Sequence, residues 1–164
     1  MNITKTPFLL LCSFILLFSC KTQKENTTLK QRLTFEIVKT SDNSGYQNSE
    51  NILINNQSEL DSAWLKIFSN YLRKPPIPSY DFNTTQLALI AMGEKPNGAY
   101  KINVTSVVDF GEKTVVTIAE TIPGKSCLTT SVISSPVQLI KFPKQTNEIN
   151  FIRTQQIKEC KNGF

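Results

Sequence analysis

Cysteine, serine, lysine and carboxylate side chains are the groups available for chemistry, because the 164 residues of this chain include no histidine. Histidine is the commonest general base and zinc ligand, so its absence argues against Ser-His and Cys-His nucleophilic sites and against most zinc centres. The adjacent pair Lys125 and Ser126 does not make a Ser-Lys site, since an exposed turn supplies neither the geometry nor the desolvation that depresses a lysine pKa. We therefore predict no catalytic residue, no cofactor and no enzymatic function.

Three carboxylates, Glu94, Asp109 and Glu112, lie near predicted turns. A calcium site or a catalytic carboxylate pair needs more ligands at defined spacing, so we interpret these residues as solvated loop charges. Gly93 and Gly98 lie between predicted strands with no helix behind them, which argues against a glycine-rich phosphate loop. No metal site is predicted.

The chain begins with an apolar run from Phe8 to Phe18, preceded by Lys5 and ending in LFSC, whose cysteine is Cys20. The run has the length of a signal-peptide hydrophobic region and falls short of the ~20 residues that span a bilayer. A small residue directly before a cysteine suits signal peptidase II. We predict that residues 1–19 are a lipoprotein signal peptide and that Cys20 is lipidated and anchors the protein to a membrane. The alternative is an ordinary secretory signal with an incidental cysteine, since Phe18 is bulky for its position.

Lipidation would place the protein in the bacterial cell envelope, at the outer membrane, and the periplasmic side is favoured because no acidic run follows Cys20. Removing the first 19 of 164 residues leaves 145, which suits one domain. Residues 20–31 are predicted to be a polar, flexible tether and residues 32–164 a single β-rich domain. Without Lys5 the chain has 17 basic and 13 acidic residues, a net charge of +4, and the basic residues are scattered. Nucleic acid is therefore not an expected partner.

Two cysteines remain in the mature domain, Cys127 and Cys160, and form an even pair in an oxidising compartment. A disulfide between them is predicted, and two free thiols are the alternative. In the chain-entropy model a bond closing a loop of this length stabilises the fold by about 3–4 kcal/mol. It would also tie the C-terminal tail to the turn at Pro123 and Gly124.

One substantial helix is predicted, at about Glu59–Leu72, with Asn56 or Ser58 as its N-cap. Trp64 falls on its apolar face and is interpreted as a core residue rather than an interface anchor. The prolines from Pro75 onwards are expected to end the helix, because proline lacks the amide donor and disfavours helical geometry in the residue before it.

The rest of the chain shows the two-residue period of β-strands. The uninterrupted apolar run Leu87–Met92 is predicted to be the central strand of a sheet. Tyr100–Val108 and Thr114–Ala119 alternate apolar and polar residues and are expected to form a hairpin. Further strands are predicted at Leu33–Val38, Ile52–Ile54, Val132–Phe142 and Glu148–Gln155. The predicted fold class is α+β, mainly an antiparallel β sheet or small sandwich with one principal helix.

The central strand is followed by a turn at residues 93–100, with the sequence GEKPNGAY. Pro96 fixes φ there, and Gly98 is predicted to adopt a positive φ, a conformation that costs a residue with a Cβ about 1–2 kcal/mol. Tyr100 follows the turn directly. Its amphipathic ring either caps the core or faces a partner, and both alternatives stay open.

This turn and its surroundings resemble the C-terminal domain of the protease-complex subunit PrcB family. The resemblance extends from about Gln57 to Phe151 and consists of DF, a short apolar strand, G-E-K-P-x-G-x-Y-x-I and a later Pro-Gly. The matching residues are Asp81, Phe82, Gly93, Lys95, Pro96, Gly98, Tyr100, Ile102, Pro123, Gly124 and Pro136.

The resemblance implies an accessory role, because the family takes its name from a lipoprotein that associates with and stabilises a surface protease. We expect a lipid-anchored, non-enzymatic binding module that presents the turns at 93–100 and 121–128 to another envelope protein, such as a protease. The alternative is a proteinase inhibitor that presents the KPNGAY loop to a protease cleft. The candidate binding residues are Lys95, Pro96, Asn97, Gly98 and Tyr100.

Overall fold

The computed structural model describes residues 30–160, which form eight β-strands and one α-helix. The predicted signal peptide, the lipidation site Cys20 and most of the predicted tether lie outside the described residues. Among residues 30–160, no helix has the length and apolar character needed to cross a membrane. The elements are β1 (Gln31–Leu33), β2 (Glu36–Ser41), β3 (Ser49–Ile54), α1 (Gln57–Ile67), β4 (Thr85–Met92), β5 (Lys101–Asp109), β6 (Lys113–Pro123), β7 (Val137–Pro143) and β8 (Glu148–Lys158).

The strands form two four-stranded sheets. The first sheet has the order β1-β5-β6-β8, and the second sheet has the order β2-β7-β4-β3. Every neighbouring pair is antiparallel except β6 and β8, which run parallel with Lys113 opposite Glu148 and Pro123 opposite Lys158. The predicted fold class, mainly antiparallel β with one principal helix, is confirmed.

The fold has three layers, with α1 on one face of the second sheet and the first sheet on its other face. Strand β4 lies inside the second sheet, so its side chains alternate between two separate cores. Leu87 and Leu89 pack against the helix, whereas Ala88 and Ile90 face the first sheet. Burial on both faces explains why this strand is an unbroken apolar run, since a strand with one solvated face would alternate.

Helix α1 is shorter than the predicted helix Glu59–Leu72, because it ends at Ile67. Its start agrees with one of the two predicted caps, since the side chain of Asn56 accepts a hydrogen bond from the Glu59 amide at 2.9 Å. At the other end, the Lys66 carbonyl accepts a hydrogen bond from the Gly45 amide at 3.0 Å. The chain therefore leaves the helix well before the prolines, which do not terminate it. The prediction that Trp64 is a core residue is confirmed.

Most predicted strands differ from the structure only in their end residues, but two differ more. The predicted strand Leu33–Val38 is two strands, because the chain crosses from the first sheet to the second between β1 and β2. The predicted strand Val132–Phe142 begins only at Val137. The observed strand begins directly after Pro136, which has no amide to donate to a ladder. The Pro136 carbonyl accepts a hydrogen bond from the Met92 amide at 2.9 Å.

The buried phenol of Tyr46 makes folding sensitive to alkaline pH. Burial, followed by the nearby Glu50 carboxylate, raises the pKa of Tyr46 to about 12. The pKa in an unfolded chain is about 10, so the contribution of this group is fully present below pH 10 and is lost as the pH rises towards 12. The loss should reach about 2–3 kcal/mol of unfolding free energy.

We predict that Tyr46→Phe removes this part of the alkaline destabilisation. Urea unfolding of the native protein and of Tyr46→Phe, measured between pH 9 and 12, tests the prediction. An identical pH profile for the native protein and Tyr46→Phe would contradict the prediction.

Candidate functional site

Both predicted binding turns lie at the same end of the first sheet. Lys101 at the start of β5 pairs with Thr121 near the end of β6, and Pro123 at the end of β6 pairs with Lys158 at the end of β8. The turn at 93–100 leads into β5 at this end, and the loop at 124–134 follows β6 at the same end. We call residues 93–100, 124–134 and Cys160 the disulfide end.

The turn at 93–100 joins the two sheets, and its backbone is held by the loop at 124–134. The Lys95 amide donates to the Ser134 carbonyl at 2.7 Å, and the Ser134 amide donates to the Lys95 carbonyl at 3.0 Å. The Ser134 hydroxyl also donates to the Asn97 carbonyl at 2.6 Å. The Glu94 amide donates to the Gln47 carbonyl at 3.0 Å. Because these backbone groups are already paired within the chain, the turn is a fixed part of the surface.

The five candidate binding residues are not equally accessible. Pro96 is exposed, whereas Lys95, Asn97 and Gly98 are half-buried. Tyr100 is also half-buried and packs against the core between the two sheets. Of the two alternatives for Tyr100, the structure favours the one in which its ring caps the core.

The prediction that Gly98 adopts a positive φ is wrong. In residues 30–160 the glycines with positive φ are Gly93, at 75°, and Gly111, at 83°. Gly93 is the first residue after β4, and a Cβ there would lie 2.8 Å from the Ser49 amide nitrogen. A Cβ at Gly98 would meet no atom within 4 Å. The sharp change of direction therefore occurs where the chain leaves the buried strand, and the middle of the turn needs no special backbone geometry.

The predicted disulfide between Cys127 and Cys160 is confirmed. It is supported by a hydrogen bond of 3.0 Å from the Gly124 amide to the Lys158 carbonyl. The Ser126 hydroxyl donates to the Glu159 carboxylate at 2.8 Å, so its partner is an acid and not a lysine. The loop at 124–134 is thus fixed to β8 at one end and to the turn at 93–100 at the other.

Between these two attachments the loop exposes large apolar side chains. Leu128 is 93% exposed, Ile133 is 70% exposed and Val132 is 64% exposed. Leu128 lies in the predicted turn at 121–128, whereas sequence reasoning missed Val132 and Ile133 because it placed them at the start of a strand. The sequence feature that could have identified the exposed residues is the serine- and threonine-rich stretch in which they lie, between a cysteine and a proline. Clustered exposed apolar side chains mark a surface that a partner covers.

A hollow of about 310 Å³ lies beside this loop on the disulfide end. It brings the two predicted turns together, because Ala99 comes from one and Pro123 from the other. Lys101, on its rim, forms an ion pair with Asp42. The remaining lining residues are Thr121, Cys127, Lys158 and Cys160.

The three carboxylates considered for metal or acid-base chemistry are not brought together. Glu94 belongs to the disulfide end, whereas Asp109 and Glu112 lie at the opposite end of β5 and β6. The Asp109 carboxylate accepts hydrogen bonds from the Gly111 amide at 2.7 Å and from the Asn147 side chain at 2.8 Å. Within residues 30–160, no three or more acidic or cysteine side chains are placed to hold a metal ion.

We predict graded effects for alanine at three glycines. Gly98→Ala should change the unfolding free energy by less than about 0.5 kcal/mol, since the new methyl group meets nothing. Gly111→Ala should cost about 1–2 kcal/mol, because only its positive φ is penalised. Gly93→Ala should cost about 2–4 kcal/mol, because backbone overlap adds to the same φ penalty. Urea denaturation of the three variants measures the series, and a Gly98→Ala variant as unstable as Gly93→Ala would overturn it.

Comparison with known proteins gives one family match. Residues 87–143 match the family model described as PrcB C-terminal. No curated protein and no solved structure matches the chain. The matched segment runs from β4 through β5 and β6 to the end of β7, so it includes both the turn at 93–100 and the loop at 124–134. Over residues 87–143 the chain is therefore similar to the PrcB C-terminal family.

Proposed function

We propose that this protein is a lipid-anchored, non-enzymatic binding module of the bacterial cell envelope, and that its disulfide end contacts another envelope protein. The observation that carries the proposal is the exposure of Leu128, Val132 and Ile133 on one loop. Their burial by a partner would be favourable, since fully burying one such side chain is worth about 1.5–3 kcal/mol.

The loop that carries these side chains is organised before any partner arrives. The disulfide fixes Cys127 to Cys160, and two backbone hydrogen bonds fix Ser134 to Lys95. A loop held at both ends loses less conformational entropy on binding than a free loop, so more of the contact energy appears as affinity. This preorganisation supports a recognition role for the exposed residues.

The N-terminal end of the domain lies away from the disulfide end. Gln31 in β1 pairs with Asp109 at the far end of β5, and the turn at 93–100 precedes Lys101 at the other end of that strand. A strand of nine residues is about 30 Å long. A lipid on Cys20 would therefore attach the domain at the end opposite the disulfide end, which leaves the disulfide end accessible to a partner.

A protease is the partner class that we propose. The matched family is named for PrcB, and the resemblance implies an accessory lipoprotein that stabilises a surface protease. We place the protein at the outer membrane on the periplasmic side, as an accessory or stabilising subunit of such a complex.

The alternative function, a proteinase inhibitor that presents KPNGAY to a cleft, has less support. A substrate-like loop must offer free backbone groups to pair with the protease. The amide and the carbonyl of Lys95 are both bound to Ser134, and the carbonyl of Asn97 accepts from the Ser134 hydroxyl. These contacts favour a surface contact at the neighbouring loop over insertion of this turn into an active site.

We predict that the double variant Leu128→Ser with Ile133→Ser loses its envelope partner and keeps its fold. Both side chains are exposed, so the melting temperature should change by no more than about 2 °C, whereas affinity should fall at least roughly ten-fold. Cross-linking in native envelopes, with quantitative mass spectrometry of the captured proteins, measures the loss.

The matched control is Leu72→Ser with Ile37→Ser, which removes the same residue types from exposed positions outside the disulfide end. It should capture the partner as the native protein does. Equal capture by both double variants would overturn the proposed contact surface.

We also predict that Cys20→Ala releases the protein from membranes after a high-salt wash. Acyl chains on Cys20 would supply the stable part of the membrane affinity, and ionic contacts alone do not survive high salt. Fractionation followed by immunoblotting tests this. A processed Cys20→Ala protein that stays in the washed membrane pellet would contradict lipid anchoring.

A further inference from the structure

A groove of about 670 Å³ crosses the outer face of the first sheet at the end opposite the disulfide end. We call it the proximal groove, because Lys30, the first described residue, lies on its rim. Its lining residues are Lys30, Ser106, Val108, Phe110, Glu112, Lys113, Val115, Thr117 and Ile152.

The floor of the proximal groove is apolar and uncovered. Val108, Phe110 and Val115 are half-buried, and Ile152 on the neighbouring strand is 50% exposed. The first sheet packs its other face against the second sheet, and α1 lies on the far side of the second sheet. None of the elements within residues 30–160 therefore covers this face.

Two lysines line the apolar floor, and an arginine lies next to it. The Lys30 ammonium lies 5.8 Å from the centre of the Phe110 ring. Arg32 lines an adjoining hollow of about 340 Å³, and Lys113 is on the opposite rim. Three carboxylates are nearby: Glu112 in the lining, Glu148 opposite Lys113 on β8, and Asp109, whose carboxylate is bound to Gly111 and Asn147. Within the lining itself, two lysines and one glutamate border the apolar surface.

We propose that the proximal groove docks on a bilayer surface that contains anionic lipids. An apolar floor with a cationic rim fits such a surface, because acyl and glycerol groups meet the floor while headgroup phosphates meet the cations. The short distance along the chain between Cys20 and the groove agrees with a membrane surface as the binding partner. Lys30 lies ten residues after Cys20, so the tether reaches at most about 35 Å and keeps the groove close to the membrane.

A second copy of the chain fits the groove less well. Face-to-face pairing would bring Lys30, Arg32 and Lys113 of one copy towards the same cations of the other, which is unfavourable. The part of the proposal that concerns the tether depends on the proposed lipid anchor, whereas the affinity of the groove for anionic vesicles does not.

Vesicle sedimentation of the mature chain with Cys20→Ser tests the groove without any acyl anchor. We expect this protein to pellet with vesicles of phosphatidylglycerol and phosphatidylcholine, to stay in solution with phosphatidylcholine alone, and to be released by high salt. Each basic residue near an anionic surface is worth roughly five-fold in affinity, so Lys30→Glu with Arg32→Glu should weaken binding at least roughly twenty-fold.

Matched controls distinguish binding by the groove from effects of net charge and from effects of exposed apolar residues elsewhere. Arg73→Glu with Lys74→Glu makes the same charge change at exposed positions away from the first sheet, and it should bind as the native protein does. Ile152→Asn should weaken vesicle binding several-fold, whereas Ile37→Asn, at a residue that is also 50% exposed, should not.

Three results would overturn the proposal. They are an absence of binding to the anionic vesicles, an equal loss in both charge-reversed double variants, and a dimer in solution that Ile152→Asn dissociates while vesicles are not bound. The assay contains neither an acyl chain nor a protein partner, so its failure leaves the proposed contact at Leu128 and Ile133 untouched. Failure of that contact would likewise leave vesicle binding unchanged.

Discussion

Burial of β4 on both faces is the constraint on which the rest of the structure depends. Every residue from Gln86 to Met92 is buried, with the helix on one face and the first sheet on the other. A strand this apolar is stable only when both faces are covered, because exposing either would lose about 25 cal/mol for each Å². The helix and the first sheet are the layers that provide this cover, while β3 and β7 pair with the two edges of the strand.

One buried and one half-buried polar contact set how the two sheets are aligned across that core. The Gln138 side chain, on the second sheet, accepts a hydrogen bond from the Val104 amide at 2.6 Å, next to the bulge in β5. Arg153, on the first sheet, pairs with Glu120 at 2.5 Å and donates to the Ala91 carbonyl of β4 at 3.0 Å. An apolar interface tolerates sliding, but buried polar groups lose their partners if one sheet shifts. These contacts therefore supply specificity to a core that apolar packing alone would leave loosely aligned.

Features of this fold that depend on local sequence could be predicted from the chain, whereas features that depend on contacts between residues distant in sequence could not. The apolar run of β4, the Asn56 cap and the pairing of the last two cysteines are all visible in the chain itself. The end of the helix depends on Gly45, which is distant in sequence and binds the Lys66 carbonyl. The glycine with positive φ is Gly93 and not Gly98, and the close approach of the Ser49 backbone to Gly93 arises only when β3 pairs with β4.

The same reasoning applies to the candidate site. The two turns were expected from their glycines and prolines, and their juxtaposition follows from strand pairing. The exposure of Val132 and Ile133 could not be predicted from the sequence, because both residue types favour strands. The position of Pro136 does not by itself determine the first residue of the strand. The attachment of Ser134 to Lys95 decides that the loop runs over the surface instead of entering the sheet.

The placement of Lys30 and of the disulfide end at opposite ends of the first sheet has a mechanical consequence. A force applied at the N-terminal side and resisted at the loop after β6 would act along β1, β5 and β6 and not across them. Hydrogen bonds loaded in this direction are sheared together, whereas a sideways pull opens them one at a time. Tension between the two ends would therefore load the three residue pairs of β1 and β5 in shear, and the longer ladder between β5 and β6 would carry it on to the disulfide end.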